Sequence, residues 1–245
     1  MIWQNPLHQP ILGKEQVHIW RANLDISSNE VTHLSTLLSP DETARANKYR
    51  FPEHKRRFIV ARGILRQLLG NYSDISPNDL KFEYGDRGKP RIIGSNTCKG
   101  LQFNISHSEE YALFGFTYDR LIGVDIEYLR EMPDAVKIAQ RFFSSKEYDL
   151  IRNLNANQQC QTFFKLWTAK EAYFKAIGTG LSGCLASIDI NFDSSGDRIS
   201  LSNSDNSTSI DNWSIYPCVP ASNYVGTIAI DTHVVKQQIH FWSWN

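Results

Sequence analysis

The strongest constraint on the fold is an order of hydrophobic periods that occurs twice along the 245 residues. A strand-like alternation gives way to helical spacing and then to alternating strands, and near Asp119 the same succession begins again. In the first round "VHIWRANL" alternates. Ser39, Pro40, Asp41 and Glu42 then open a helical stretch with a capping residue, a proline suited to the first turn and two acids that complement the positive helix end. Pro52 must interrupt or restart that helix, after which Phe58, Ile59, Ala61, Ile64, Leu65 and Leu68 recur at helical spacing up to Gly70. "LKFEYGDRGKPRI" and "LQFNISHSEEYALFGFTYDRLIGVDIEYL" read as strands joined by turns. In the second round, helical regions run from about Asp134 to Asn153 and from about Gln158 to Ile177, the latter ended by Gly178 and Gly180. "SIDINFDSSGDRISLSN", "WSIYPCV" and "YVGTIAI" follow as strands, with a Ser/Asp/Gly hairpin turn and a Ser/Asn-rich mobile loop over 202–209. The order predicts an α+β chain of two halves, 1–118 and 119–245, with a ligand cleft between them. No short-period sequence repeat accompanies it, so a duplication rests on element order alone.

Twenty-six basic and 26 acidic residues cancel, so no global field points to nucleic acid or a membrane surface as the main partner. Locally the balance is different. Between Arg45 and Arg66 eight basic residues stand against the single acid Glu53, largely on helices, a cluster that could hold a phosphate-rich ligand. Cys98, Cys160, Cys184 and Cys218 are widely spaced with no C-x-x-C pair, which reads as free thiols in a reducing compartment. The N-terminus lacks a basic region followed by an apolar run, and no segment approaches the ~20 apolar residues of a membrane span. A cytoplasmic protein is expected.

In "IGVDIEYL", Asp125 and Glu127 stand two apart on a strand and project from one face, while Val124 and Ile126 point the other way. Their Cα atoms are then roughly 6.5–7 Å apart, near enough for two carboxylates to converge on one hard cation. A half-exposed strand with an acidic outer face explains the same pattern and is the commoner case. Glu171 and Lys175 are i, i+4 neighbours on a helix, as in an ordinary surface salt bridge. Trp167, Phe174 and Ile177 flank them so closely that the helix must be buried on a broad front, with its charged edge bordering a cleft. Three carboxylates around Mg²⁺ and a lysine beside them would suit phosphoryl or nucleotidyl chemistry. Ser106 and His107 are adjacent on a strand and point to opposite faces, and no G-x-S-x-G elbow surrounds them, so a nucleophilic pair is disfavoured against a phosphate donor or turn residue. Lys89 in "DRGKP" reads as a solvated turn, and "GTGL" is too short for a phosphate-binding loop.

Taken in order, "RGKPRI", "FNISHS", "IGVDIEYLR", "RFFSSKEY" and "LWTAKEAYFKAIGTGL" resemble the signature blocks of the Sfp-type 4′-phosphopantetheinyl transferases, with a cyanobacterial-like cast. The resemblance runs from Ser39 to Leu181 and more loosely to the C-terminus. It implies two similar α+β halves in a pseudo-twofold arrangement, with the active site at their interface. It also implies a monomer that moves the phosphopantetheine arm of coenzyme A to a serine of an apo acyl or peptidyl carrier protein, releasing adenosine 3′,5′-bisphosphate. Mg²⁺, or Mn²⁺ in its place, would be the ion, and fatty-acid, polyketide or nonribosomal peptide synthesis the setting. By motif, Asp125, Glu127 and Glu171 would hold the metal, Glu171 would take the serine proton and Lys175 would contact the phosphates. Arg45 would meet the 3′-phosphate, and Lys89 with Asn104, Ser106 and His107 would line the rest of the coenzyme site. Arg57 falls on a further basic position, and Arg62 is a candidate there. Two departures stand out: Asp41 and Glu42 stand near where the Bacillus-type prototype places a lysine, and Phe58 occupies a position where it has a small hydroxyl residue. A non-catalytic carrier- or nucleotide-binding module of the same fold, or a Mg²⁺-dependent phosphohydrolase, are the alternatives. Joint retention of Asp125, Glu127, Glu171 and Lys175 weighs against the module. Lys170 has no role in this reading.

Overall fold

Local signals start each element, and the element order that they produce is the same in both halves. The computed structural model describes residues 1–85, 87–94, 99–180, 185–193, 198–204, 210 and 212–245. The first half runs β1 (Val17–Asn23), α1 (Ser28–Ser35), α2 (Pro40–Ala46), α3 (Pro52–Ser73), the hairpin of β2 (Lys81–Tyr84) and β3 (Pro90–Ile93), then β4 (Leu101–Ser108) and β5 (Tyr111–Tyr118). The second runs β6 (Ile122–Tyr128), α4 (Ala135–Phe142), α5 (Ser145–Arg152), α6 (Ala156–Ile177), the hairpin of β7 (Ile188–Phe192) and β8 (Ile199–Asn203), then β9 (Ser214–Cys218) and β10 (Tyr224–Ile230). One sheet contains the run β1-β5-β4 and the other the run β6-β10-β9, the same antiparallel arrangement, although β8 and β7 extend the second sheet while β2-β3 stand apart, and both α3 and α6 are 22 residues long. The duplication suggested by element order is therefore structural.

The strands alternate, and each face has its own partner. Val17, Ile19 and Leu113 from the first sheet meet Ile122, Val124, Ile126 and Ile228 from the second in one apolar layer. On the outer face of the first sheet, Trp20, Phe114 and Phe116 pack under Val60, Ile64 and Leu65 of α3. On the outer face of the second, Ile190, Ile215 and Ala229 pack under Leu166, Ala169 and Ala172 of α6. Two sheets thus lie face to face with a long helix outside each.

Four details depart from the sequence expectation. The unanticipated α1 starts at Ser27, whose side chain accepts from Glu30 N in a capping box. Helix α3 passes through Gly70, where a Cβ would press on Ile75 O and Pro77, and closes instead at Asp74 in the left-handed region, φ 56°. The helical region 134–153 is two helices, because Ser144 opens a new capping box at the head of α5. The unanticipated β11 (Ile239–Trp244) pairs in parallel with β1, so the last strand lies in the first sheet. The boundary that we propose at 118/119 falls in the β5–β6 turn, and β11 crosses it. Cys98, Cys184, the hairpin turn at 194–197 and the loop positions 205–209 lie outside the described residues, while Cys160 and Cys218 are free thiols. No helix among the described residues is long and apolar enough to cross a membrane.

The two halves share one buried electrostatic device. Glu42 and Glu147 close the capping boxes of α2 and α5, accepting from Ser39 N at 3.1 Å and Ser144 N at 3.0 Å. Each is buried and paired with a cation of the long helix that follows. Glu42 takes Arg62 and Arg66, the latter at 2.6 Å, and Glu147 takes Lys170 at 2.9 Å. Lys170 also donates to Leu185 O at 2.7 Å and to Ile188 O, which explains a lysine in an otherwise apolar helix face. Replacing Lys170 by Met leaves Glu147 charged and unpaired, and urea denaturation should show a loss of about 3–5 kcal/mol. The double change Lys170→Met with Glu147→Gln should lose less than the sum of the singles.

Candidate active site

Gly123 sets how close α6 comes to β6. A Cβ there would overlap the Ala172 carbonyl and the Ala176 amide, so the helix backbone rests directly on the strand. Asp125 and Glu127 share the strand parity of Gly123 and face the same helix. Glu171 and Lys175, one turn apart on α6, therefore come down over the two strand carboxylates. Thr168 and Thr227 lock the approach with an Oγ1–Oγ1 hydrogen bond of 3.0 Å. Lys175 Nζ donates to Asp125 Oδ1 at 2.6 Å and to Ser106 Oγ at 2.8 Å, and Ser106 Oγ donates to the same Asp125 oxygen at 2.8 Å. The ion pair of Lys175 is thus with Asp125 across the strand, rather than with its helix neighbour Glu171.

Strand β4 supplies the other side. Asn104 Oδ1 accepts from Val124 N at 3.0 Å, and Ser108 Oγ accepts from Tyr128 N at 3.1 Å while donating to Glu127 Oε2 at 2.9 Å. Sequence reasoning missed Ser108 and Gly123. The signals were a serine on the Asn104–Ser106 face of "FNISHS" and a glycine inside a strand.

Burial and mutual repulsion set the charge states. The Glu171 carboxyl is pushed up to about 7 by burial first and then by the Asp125 charge, with Lys175 opposing and Glu127 adding. Glu127 is raised by burial and Asp125, against the Ser108 hydrogen bond. Asp125 Oδ2 is buried with no hydrogen-bond partner among the described residues. Such oxygen donors, crowded and partly unsatisfied, fit a hard divalent cation. They are not a preformed cage: among the described residues no three acidic, imidazole or thiol groups meet closely enough to hold a metal, and Lys175 supplies the positive charge at Asp125.

Beside these carboxylates lies a groove of about 300 Å³ to which both halves contribute, lined by Arg45, Lys89, Asn104, His107 and Lys175. Ser106 lies buried beneath it. His107 is open to solvent, yet enclosure by the groove walls and the cations Lys175, Arg45 and Arg57 lower its pKa. Lys89 Nζ turns inward to Ala176 O at 2.5 Å and Ile122 O at 3.4 Å, and burial brings it down to about 8. It ties the first half to the last turn of α6. Arg57 is outside the groove lining, held by Asp25 at 3.3 Å, Glu109 at 2.8 Å and Glu110 at 3.2 Å. Arg62 borders the groove but is paired with Glu42. The two departures from the prototype acquire reasons: Glu42 is the buried counter-ion of Arg62 and Arg66, and Phe58 carries the Arg45 guanidinium 5.4 Å above its ring.

A cation-lined groove with one wall from each half, joined through Lys175 to a cluster of crowded carboxylates, marks the class of two-half α+β proteins that handle phosphate-bearing ligands. Comparison with known proteins narrows the class. Residues 121–229 match the 4'-phosphopantetheinyl transferase superfamily and residues 22–115 match the 4'-phosphopantetheinyl transferase, N-terminal family. The 4'-phosphopantetheinyl transferase HetI of Nostoc sp. is 42% identical over 220 residues, covering 89% of each chain. The 4'-phosphopantetheinyl transferase Sfp of Bacillus subtilis is 29% identical over 64% of this chain and 67% of its own. This chain belongs to the 4'-phosphopantetheinyl transferase superfamily. A solved holo-(acyl-carrier-protein) synthase of Bacillus anthracis aligns with 46% of this chain and 96% of its own, at 20% identity and a TM-score of 0.39.

In the metal-free protein the Glu171 carboxyl answers to its two charged neighbours. Asp125→Asn should lower the Glu171 pKa from about 7, and Lys175→Met should raise it. Titration of the glutamate carboxyl carbons by NMR reads both signs. Because the folded value lies above the ordinary 4.5, the folded chain keeps a proton that the unfolded chain releases, and Glu171 costs stability as pH rises from 4.5 towards 7.

Proposed function

We propose that this protein transfers the 4′-phosphopantetheine group of coenzyme A to a serine of an apo acyl or peptidyl carrier protein and releases adenosine 3′,5′-bisphosphate. The observation that carries this reading is the junction of the two halves, where Lys175 lines the basic groove and pairs with Asp125, close to Glu127 and Glu171. Membership of the family supports it. In this reading those three carboxylates hold Mg²⁺ or Mn²⁺, which when bound neutralises charge on the pyrophosphate. Arg45 and His107 bind the phosphates of the nucleotide at the groove, while Lys89 fixes the groove floor through α6. Lys175 is about one-third exposed and turns from Asp125 to the departing bisphosphate, whose charge it stabilises. The carrier serine oxygen forms a bond to the β-phosphorus as the bond to the bridging oxygen breaks. The serine proton passes to Glu171, directly or through a water, so that the carboxylate need not leave the ion to act as base. Free thiols at Cys160 and Cys218 suit a cytoplasmic setting, and we take the working unit to be a monomer.

Incubation with coenzyme A, Mg²⁺ and a panel of apo carrier proteins should raise the intact mass of a carrier by one phosphopantetheine group. No gain with any carrier, under conditions where a control transferase works, contradicts the reading. Release of adenosine bisphosphate that needs no carrier would identify a phosphohydrolase instead. Glu171→Gln should abolish turnover far more than it weakens coenzyme A binding, because Arg45 and His107 remain; equal loss of both would remove Glu171 from the chemical step.

A further inference from the structure

The site has a second layer that the family resemblance does not name. Ser106 and Ser108 stand two apart on β4 and face Asp125 and Glu127, two apart on β6. Each serine hydroxyl donates to one oxygen of one carboxylate: Ser106 to Asp125 Oδ1 at 2.8 Å, Ser108 to Glu127 Oε2 at 2.9 Å. A hydroxyl has a single proton, and its direction is decided by what the oxygen accepts. Ser108 Oγ accepts from Tyr128 N at 3.1 Å, the residue next to Glu127, so its proton is left for the carboxylate. Arg130 Nη1, 3.8 Å away, addresses the same Glu127 oxygen. At Asp125 the pattern is sharper, since Oδ1 takes both Ser106 and Lys175 while the buried Oδ2 has no partner among the described residues. In both carboxylates one oxygen is held and the other takes no part in those contacts.

We propose that Ser108 is a positioning residue that fixes Glu127 for one-oxygen coordination of the divalent ion. Outer partners of this kind set the orientation of ligating carboxylates, and their loss typically weakens metal affinity by about 10–100-fold. The proposal rests on the reading that Asp125, Glu127 and Glu171 hold the ion.

The test is Mn²⁺ binding to the purified full-length protein, followed by the EPR signal of free Mn²⁺, with folding monitored by circular dichroism. Ser108→Ala should weaken Mn²⁺ binding about tenfold at an unchanged far-UV spectrum, and Ser108→Thr, which keeps the hydroxyl, should restore most of it. In a Glu127→Gln background Ser108→Ala should cause no further loss. Should the alanine variant fail to fold, Ser108→Cys keeps the shape with a weak donor and should show the same weakening. Unchanged affinity in folded Ser108→Ala or Ser108→Cys, or equal loss with and without Glu127, overturns the proposal while leaving the metal reading intact. Absence of Mn²⁺ binding by the unaltered protein overturns both.

Discussion

Two edge strands, β4 of the first sheet and β6 of the second, meet where the halves join, and short side chains do there what a backbone ladder does elsewhere. The amides of Val124 and Tyr128 find no strand partner on that side, and a buried amide left unpaired costs about 1–3 kcal/mol. Asn104 and Ser108 satisfy them. The same requirement for short polar residues on β4 brings hydroxyls to Asp125 and Glu127. Joining the halves and orienting the site are therefore one interaction, and the groove inherits its two walls from it.

A second constraint comes from the helix that covers the Gly123, Asp125 and Glu127 face of β6. Gly123 lets α6 rest on the strand, and that closeness puts Glu171 among like charges and out of water. The raised Glu171 carboxyl and the partnerless Asp125 oxygen are both products of this packing. Lys175 offsets part of the repulsion as the counter-ion of Asp125. The helix tolerates these charges because its buried face is otherwise largely apolar and because Lys170 is neutralised separately by Glu147.

Much of this was legible in the residues. Element order predicted two α+β halves, and the two-residue step of Asp125 and Glu127 with the helical step of Glu171 and Lys175 predicted which charges share a face. Capping boxes at Ser27–Glu30 and Ser144–Glu147 are local signals that the sequence reading passed over, whereas burial of Glu42 and Glu147 could not be read locally, because it depends on cations of the next helix. Half of the basic cluster at 45–66 turned out to be engaged inside the protein: Arg56 on Ile26 O, Arg57 on three acids, Arg62 and Arg66 on Glu42. A charge count cannot separate such struts from ligand contacts. Strand β11 was invisible because its partner is β1, at the other end of the chain. Ser108 escaped because a serine declares its role only through what it touches.

The central claim is that groove and carboxylates act as one site across the junction of the halves. Calorimetric titration of coenzyme A into the protein, with and without Mg²⁺, tests it most directly. Binding should be at least about tenfold tighter with the ion, a coupling of roughly 1.4 kcal/mol, and Asp125→Asn should erase the difference while leaving the metal-free affinity in place. Equal affinity in the two conditions would contradict the account.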